Sequence, residues 1–200
     1  MANNLTTLRN LLLLTLVLLA GIVTAYIMSP KTSTTAQPML KSLGGDFTLH
    51  GVNGDVSLHD FKGKVVLLYF GYTHCPDVCP TSLAVISQSM KDLDADQRSQ
   101  VQPIFISVDP DRDSPAHLAE YSAFFHPSII GLTGSRDEVD QVVGQYGAFY
   151  RMVDMKDSAM GYAVDHSSRI YLINKQGELS NSVTHGTSPD VLVADIKKLL

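Results

Sequence analysis

Cysteine is nearly absent from this chain of 200 residues: there are two, Cys75 and Cys79. Two sulfurs are too few to build a structural zinc site or an iron–sulfur cluster by themselves. A basic excess is also missing, because 15 Lys and Arg stand against 20 Asp and Glu, a formal charge of -5. Without a basic cluster, the chain is a poor candidate for binding nucleic acid. No internal repeat and no low-complexity block is present. Charge itself disappears between Asn10 and Pro30.

That uncharged stretch is almost wholly apolar from Leu11 to Met28. As a helix rising ~1.5 Å per residue it spans roughly 30 Å, enough to cross the hydrocarbon core of a bilayer. A cleaved secretory signal is the competing reading, with Val23-Thr24-Ala25 as the cleavage site. The apolar run continues through Tyr26-Ile27-Met28, which favours an uncleaved anchor. Arg9 and Lys31 flank the run and say little about orientation. Residues 29–44 are rich in Ser, Thr and Pro without periodicity and read as a tether. The expected organisation is an anchor over 1–28, a linker over 29–44 and one domain over 45–200.

Within that domain, short alternating runs at Asp46–His50 and Asp55–Leu58 surround Val52-Asn53-Gly54 and predict a hairpin. Lys64–Phe70 and Gln102–Val108 are apolar runs of strand length. Pro80 to Leu93 carries Leu83, Val85, Ile86, Met90 and Leu93 at one-sided helical spacing. Ser114-Pro115 is a helix start, with a hydroxyl cap and proline at the first helical position. A short strand at Ile129–Leu132 and a helix from Ser135 to Tyr146 follow. Arg169–Asn174 and Leu179–Thr184 predict a late hairpin, and Pro189 to Leu200 a terminal helix capped by Ser188. Alternation followed by an antiparallel pair implies a mixed sheet covered on both faces. The predicted fold class is α/β, a thioredoxin-like fold with an N-terminal β-hairpin, after a single N-terminal transmembrane helix.

Both cysteines lie in Gly71-Tyr72-Thr73-His74-Cys75-Pro76-Asp77-Val78-Cys79-Pro80, where a strand hands over to a helix. Such junctions are where α/β folds carry their chemistry. Pro80 suits the first turn of a helix, so both sulfurs are expected near its positive end, which favours thiolate. Two thiols four positions apart form a chelating pair, a redox pair, or both. As a chelate they select Cu(I), Zn or iron–sulfur iron, with further ligands supplied by histidine or carboxylate.

Seven histidines are available. His50, His59, His117, His126 and His185 sit in turn-like or polar settings and read as surface or packing residues. His74 adjoins Cys75 but points away from it in an extended segment. His166 lies in Gly161-Tyr162-Ala163-Val164-Asp165-His166-Ser167-Ser168, directly before the strand at Arg169. In a thioredoxin-like fold the loop before that strand packs against the cysteine turn, where thioredoxins hold a cis-proline. This loop has no proline and offers an imidazole.

Cys75-Pro76-Asp77-Val78-Cys79-Pro80, then Asp109-Pro110-Asp111-Arg112-Asp113-Ser114-Pro115, then Asp165-His166-Ser167, resemble the Sco/SenC family of copper proteins. The resemblance covers about residues 40–200 and the N-terminal apolar segment. It implies a membrane-anchored, thioredoxin-like domain that binds one copper, as Cu(I) or Cu(II), through Cys75, Cys79 and His166. It also implies a part in building the dinuclear copper centre of cytochrome c oxidase, with subunit II as copper acceptor and an upstream protein as copper donor. The role is that of a metallochaperone, of a thiol–disulfide reductant acting through the Cys75–Cys79 redox pair, or of both. The location implied is the bacterial inner membrane with the soluble domain on the periplasmic side. Asp165 either fixes the His166 ring by accepting its N–H or caps a local turn. Asp77 either supplies an axial oxygen or stabilises the turn and faces a partner.

Two rivals share the broad fold. A membrane-tethered thiol–disulfide oxidoreductase without physiological copper would need both cysteines and not His166. A thiol peroxidase would need P-x-x-x-[ST]-x-x-C, and neither cysteine has those residues before it. A copper store would be expected to hold more than the single thiol-rich site present.

Overall fold

The computed structural model describes residues 10, 12–19, 21, 24, 43–156, 158 and 160–200. The expected anchor and tether therefore lie mostly outside the described residues. Residues 12–19 are helical and exposed, and among the described residues no helix is long and apolar enough to cross a membrane. The chain divides into two units, Met1–Ala36 and Gln37–Leu200. The second carries both cysteines.

This second unit opens with the expected hairpin, β1 (Thr48–Gly51) against β2 (Gly54–Ser57). The main sheet draws on β3 (Val65–Gly71), β4 (Val101–Ser107), β5 (Ile130–Leu132), β8 (Arg169–Ile173) and β9 (Leu179–Thr184), in the order β5-β4-β3-β8-β9. β3 runs parallel to β4, and β4 to β5, while β8 and β9 return antiparallel. Every residue of β3 and β4 is buried, as continuous apolar runs require when both faces of a sheet are covered.

Alternation along β3 assigns its aromatic rings to opposite faces. Tyr69 stacks on Phe105, with ring centroids 6.2 Å apart, and Phe105 meets Tyr121 of the helix α3 (Pro115–Phe125). Phe70 points the other way, to Tyr171 and to Tyr146, the C-cap of α4 (Arg136–Gln145). Helix α1 (Val78–Asp92) bonds to its neighbours through serine hydroxyls. Ser87 donates to the Phe125 carbonyl, and Ser89 to the Pro189 carbonyl at the start of α5 (Pro189–Lys197). A one-turn helix, α2 (Ala95–Ser99), links α1 to β4.

The helix starts follow their caps. The Ser114 hydroxyl accepts the His117 N–H with Pro115 at the first position, and Ser135 forms a reciprocal box with Glu138. Ser188 occupies the expected cap position without a side-chain hydrogen bond.

The sequence reading leaves residues 147–168 irregular and puts His166 in a loop. Instead β6 (Tyr150–Met155) and β7 (Gly161–His166) pair antiparallel as a separate two-stranded sheet, with Tyr150 opposite His166. His166 is the last residue of a strand. The segment hides from pattern reading because charged Arg151, Asp154 and Asp165 interrupt it, and Val164 is its one buried position.

Candidate metal centre

The site begins where β3 runs out of room. At Gly71 a Cβ would fall 2.7 Å from the Cys79 Sγ and 2.8 Å from the Phe105 ring. Only glycine lets the helix bearing Cys79 approach the strand so closely. The Gly71 carbonyl accepts the Val108 N–H at 2.8 Å, and the Tyr72 carbonyl accepts the Cys75 N–H at 3.3 Å to close a turn. Buried Asp113 anchors that turn from outside. It accepts the Thr73 N–H at 3.0 Å, the Thr73 hydroxyl at 2.5 Å and the Ser107 hydroxyl at 2.5 Å. Helix α1 then starts at Val78, one residue before Cys79, with Asp77 in the cap position. Pro80 falls in the first turn, where its missing N–H costs nothing.

Across the domain, β7 delivers His166 to the same place. Its Nε2 lies 3.2 Å from the Cys79 Sγ. The Cys75 Sγ accepts the Cys79 N–H at 3.4 Å. The two sulfurs and the imidazole nitrogen all lie within 4.8 Å of one another, and among the described residues they form the group able to hold a metal ion. Tyr69 and Tyr72 set their rings edge-on to the imidazole at 6.1 and 5.8 Å. The site opens into a depression bordered by Pro76, Asp77, Val78 and Asp165.

The two thiols are both free, and their surroundings push them in opposite directions. The Cys75 thiol is held well below the ordinary range, first by the Cys79 thiol donating to it, then by the His166 ring and the amides of Asp77 and Cys79. Cys79 moves the other way, pushed up by burial and then by the Cys75 charge. These opposite shifts make Cys75 the sulfur that ionises first. A thiolate, a second sulfur and an imidazole are a soft donor set that suits copper and leaves an open side for exchange. A structural zinc site would want a fourth protein ligand. The same thiolate is the nucleophile that disulfide exchange needs.

The expected triad is thus assembled, and the two accompanying carboxylates stand apart from it. Asp165 does not reach the His166 ring. Neighbours on a strand point to opposite sides, so its carboxylate faces outward to Arg151 at 2.7 Å while the His166 Nδ1 lies 3.3 Å from the Ser167 carbonyl. Asp77 is exposed on the rim. Its amide supports Cys75, and its carbonyl accepts the Thr81 hydroxyl at 2.8 Å. The other histidines bond away from the sulfurs: His50 with Asp55, His59 with Asp46, His126 with Ser128, His185 with Ser82, and both His74 and His117 with Thr73.

The charged run from Asp109 to Asp113, between β4 and the cap of α3, frames the site. Asp113 fixes the cysteine turn, and Asp109 and Arg112 reach the His166 hairpin. The cue in the sequence is three carboxylates and one arginine packed into five residues just past the C-terminal end of a buried strand.

Comparison with known proteins adds to this geometry. The family model described as SCO1/SenC matches residues 35–200. The mitochondrial protein SCO2 homolog of Bos taurus is 40% identical over 137 residues, 68% of this chain and 51% of the relative. The chain spans about half the length of that relative. The structure of Bradyrhizobium japonicum ScoI with copper bound superposes with a TM-score of 0.71 at 40% identity, covering 79% of this chain and 99% of that one. BsSco, described as a member of the Sco family of cytochrome c oxidase assembly proteins and as holding a disulfide switch, superposes with a TM-score of 0.63 at 28% identity, covering 80% of this chain and 94% of that one.

Proposed function

The chain belongs to the SCO1/SenC family, and from that premise we propose that it binds one copper ion through Cys75, Cys79 and His166 and serves the assembly of cytochrome c oxidase. The observation that carries this reading is the convergence of two sulfurs and one imidazole nitrogen within 4.8 Å. Three protein ligands and an open side hold Cu(I) firmly and still admit an acceptor's ligand. Cu(II) is accommodated when an oxygen donor joins from the open side. The acceptor is the dinuclear copper centre of the oxidase, on subunit II, and an upstream copper donor loads the site. Residues 1–28 act as a membrane anchor and 29–44 as a tether, with the domain on the periplasmic side of a bacterial inner membrane.

Without metal, the same cysteines reduce the acceptor's disulfide. The Cys75 thiolate attacks one sulfur of that disulfide, forming a mixed disulfide. Cys79 then attacks Cys75 and releases the second partner thiol. Two electrons and the single proton that Cys79 carried pass to the partner, whose other sulfur leaves as a thiolate and takes its proton from water, and a Cys75–Cys79 disulfide is left behind. The low position of the Cys75 thiol favours this second activity.

Copper titration of the purified protein tests the reading. One equivalent should bind, with sulfur-to-Cu(II) charge-transfer bands that vanish on substituting Cys75, Cys79 or His166. Full retention of copper by His166→Ala would sink the three-ligand site. Normal oxidase assembly with that variant would point instead to the dithiol reductant.

A further inference from the structure

His166 rides on an element outside the main sheet. Among the described strands, β6 and β7 pair only with each other, and a two-stranded ribbon is marginal on its own. The imidazole therefore stays at the sulfurs only as far as the hairpin is tied down. Alternation along β7 turns Tyr162, Val164 and His166 to one side, and each has a tie. The Tyr72 hydroxyl accepts the Val164 N–H at 3.3 Å. The His166 ring packs against Tyr69 and Tyr72.

Tyr162 is tied by Arg112. The guanidinium carbon lies 3.7 Å above the Tyr162 ring, and the Nη1 group donates to the carbonyls of Tyr162 at 3.1 Å and Met160 at 3.3 Å. Asp109, wholly buried, accepts both the Arg112 Nε–H and the Tyr162 hydroxyl, the latter at 2.8 Å. The same guanidinium carbon stands 5.7 Å from the ring of Tyr72, which opens the turn to Cys75. One side chain thus touches the arms that bear both kinds of ligand. Asp109 in turn follows β4, whose register with β3 is fixed.

We propose that Arg112, aimed by Asp109, is a positioning residue for copper binding: it latches the β6–β7 hairpin to the Tyr72–Cys75 turn and so holds the His166 imidazole at the two sulfurs. A guanidinium can stack and fork its donors at once, and a lysine ammonium cannot. Holding the third ligand in place beforehand spares the metal the cost of ordering it. The inference rests on the copper reading of this site.

Arg112→Ala strands a buried carboxylate, so milder variants are the better test: Tyr162→Phe, Arg112→Lys, and the neutral pair Asp109→Asn with Arg112→Gln. In the metal-free full-length protein, amide exchange at residues 161–166 should accelerate at least about tenfold, with the amides of α1 unchanged. Copper affinity should fall about tenfold, with a shifted charge-transfer spectrum, and should fall no further when the same change is made in a His166→Ala background. Unchanged exchange at residues 161–166 overturns the latch. So does an equal loss of copper affinity in both backgrounds, since Arg112 would then act by some route other than His166. If the unsubstituted protein bound no copper, the functional reading would fall, and the exchange rates alone would decide the latch.

Discussion

The Cys79 sulfur and the His166 Nε2 stand 3.2 Å apart although 87 residues separate them in the chain. Their meeting turns a dithiol into a three-donor site. It also makes the site depend on two structures at once, the close packing of α1 on β3 and the docking of a hairpin that lies outside the sheet.

Protonation offers the first check. An ordinary thiol, with a pKa of 9.0, loses reactivity about tenfold for each pH unit below that value. Cys75 is held far lower, so its alkylation by iodoacetamide in the reduced, metal-free protein should change little between pH 8 and pH 5, while Cys79 stays unmodified. The folded protein releases the Cys75 proton more readily than the unfolded chain does. That thiolate therefore stabilises the fold fully above about pH 9.0, and the contribution is lost progressively as the pH falls from there toward about 3. A tenfold rate loss per unit near neutrality would contradict the assignment of Cys75 as thiolate.

Gly71→Ala probes the packing of strand on helix. The added methyl group meets the Cys79 sulfur and the Phe105 ring well inside contact distance. The expected cost is ~1–3 kcal/mol in urea unfolding, together with weaker copper binding because the sulfur must move. Wild-type stability and affinity would mean that α1 sits farther from β3 than described.

Asp113→Ala removes the anchor of the cysteine turn. It leaves the Thr73 amide and the hydroxyls of Thr73 and Ser107 without their acceptor. A loss of about 2–4 kcal/mol is expected, along with faster amide exchange at residues 73–75. A near-neutral result would assign the turn's order to the backbone alone.

Asp165→Asn should do little. Its carboxylate pairs with Arg151, and both side chains are more than half exposed. Stability is expected to stay within ~0.5 kcal/mol of wild type, and copper affinity and spectrum should not change. A shifted spectrum would restore Asp165 as an orienting partner of His166.

How far the sequence could be read depended on how local the signal was. The apolar runs of β3 and β4, the capping serine at 114, and the hairpin turn around Val52-Asn53-Gly54 each declare themselves within a few residues, because propensity and capping are short-range effects. The hairpin β6–β7 could not be read, since it buries one edge only and its inward residues are mixed with charges. Arg112 carried no local signal of its role. Its partners, Tyr162 and Met160, lie 50 and 48 residues away.

The two cysteines four positions apart, at the end of a buried strand and the start of a helix, were fixed by the chain's own order, and with them the choice between chelation and disulfide exchange. The place of His166 before the late strand and the family resemblance already singled it out from the sequence; tertiary structure alone decided that Asp165 turns away, and that Asp109 and Arg112 hold the hairpin in place. Direction in space is the reason. Spacing along a strand says which side a residue takes, but only packing between distant segments says what stands there.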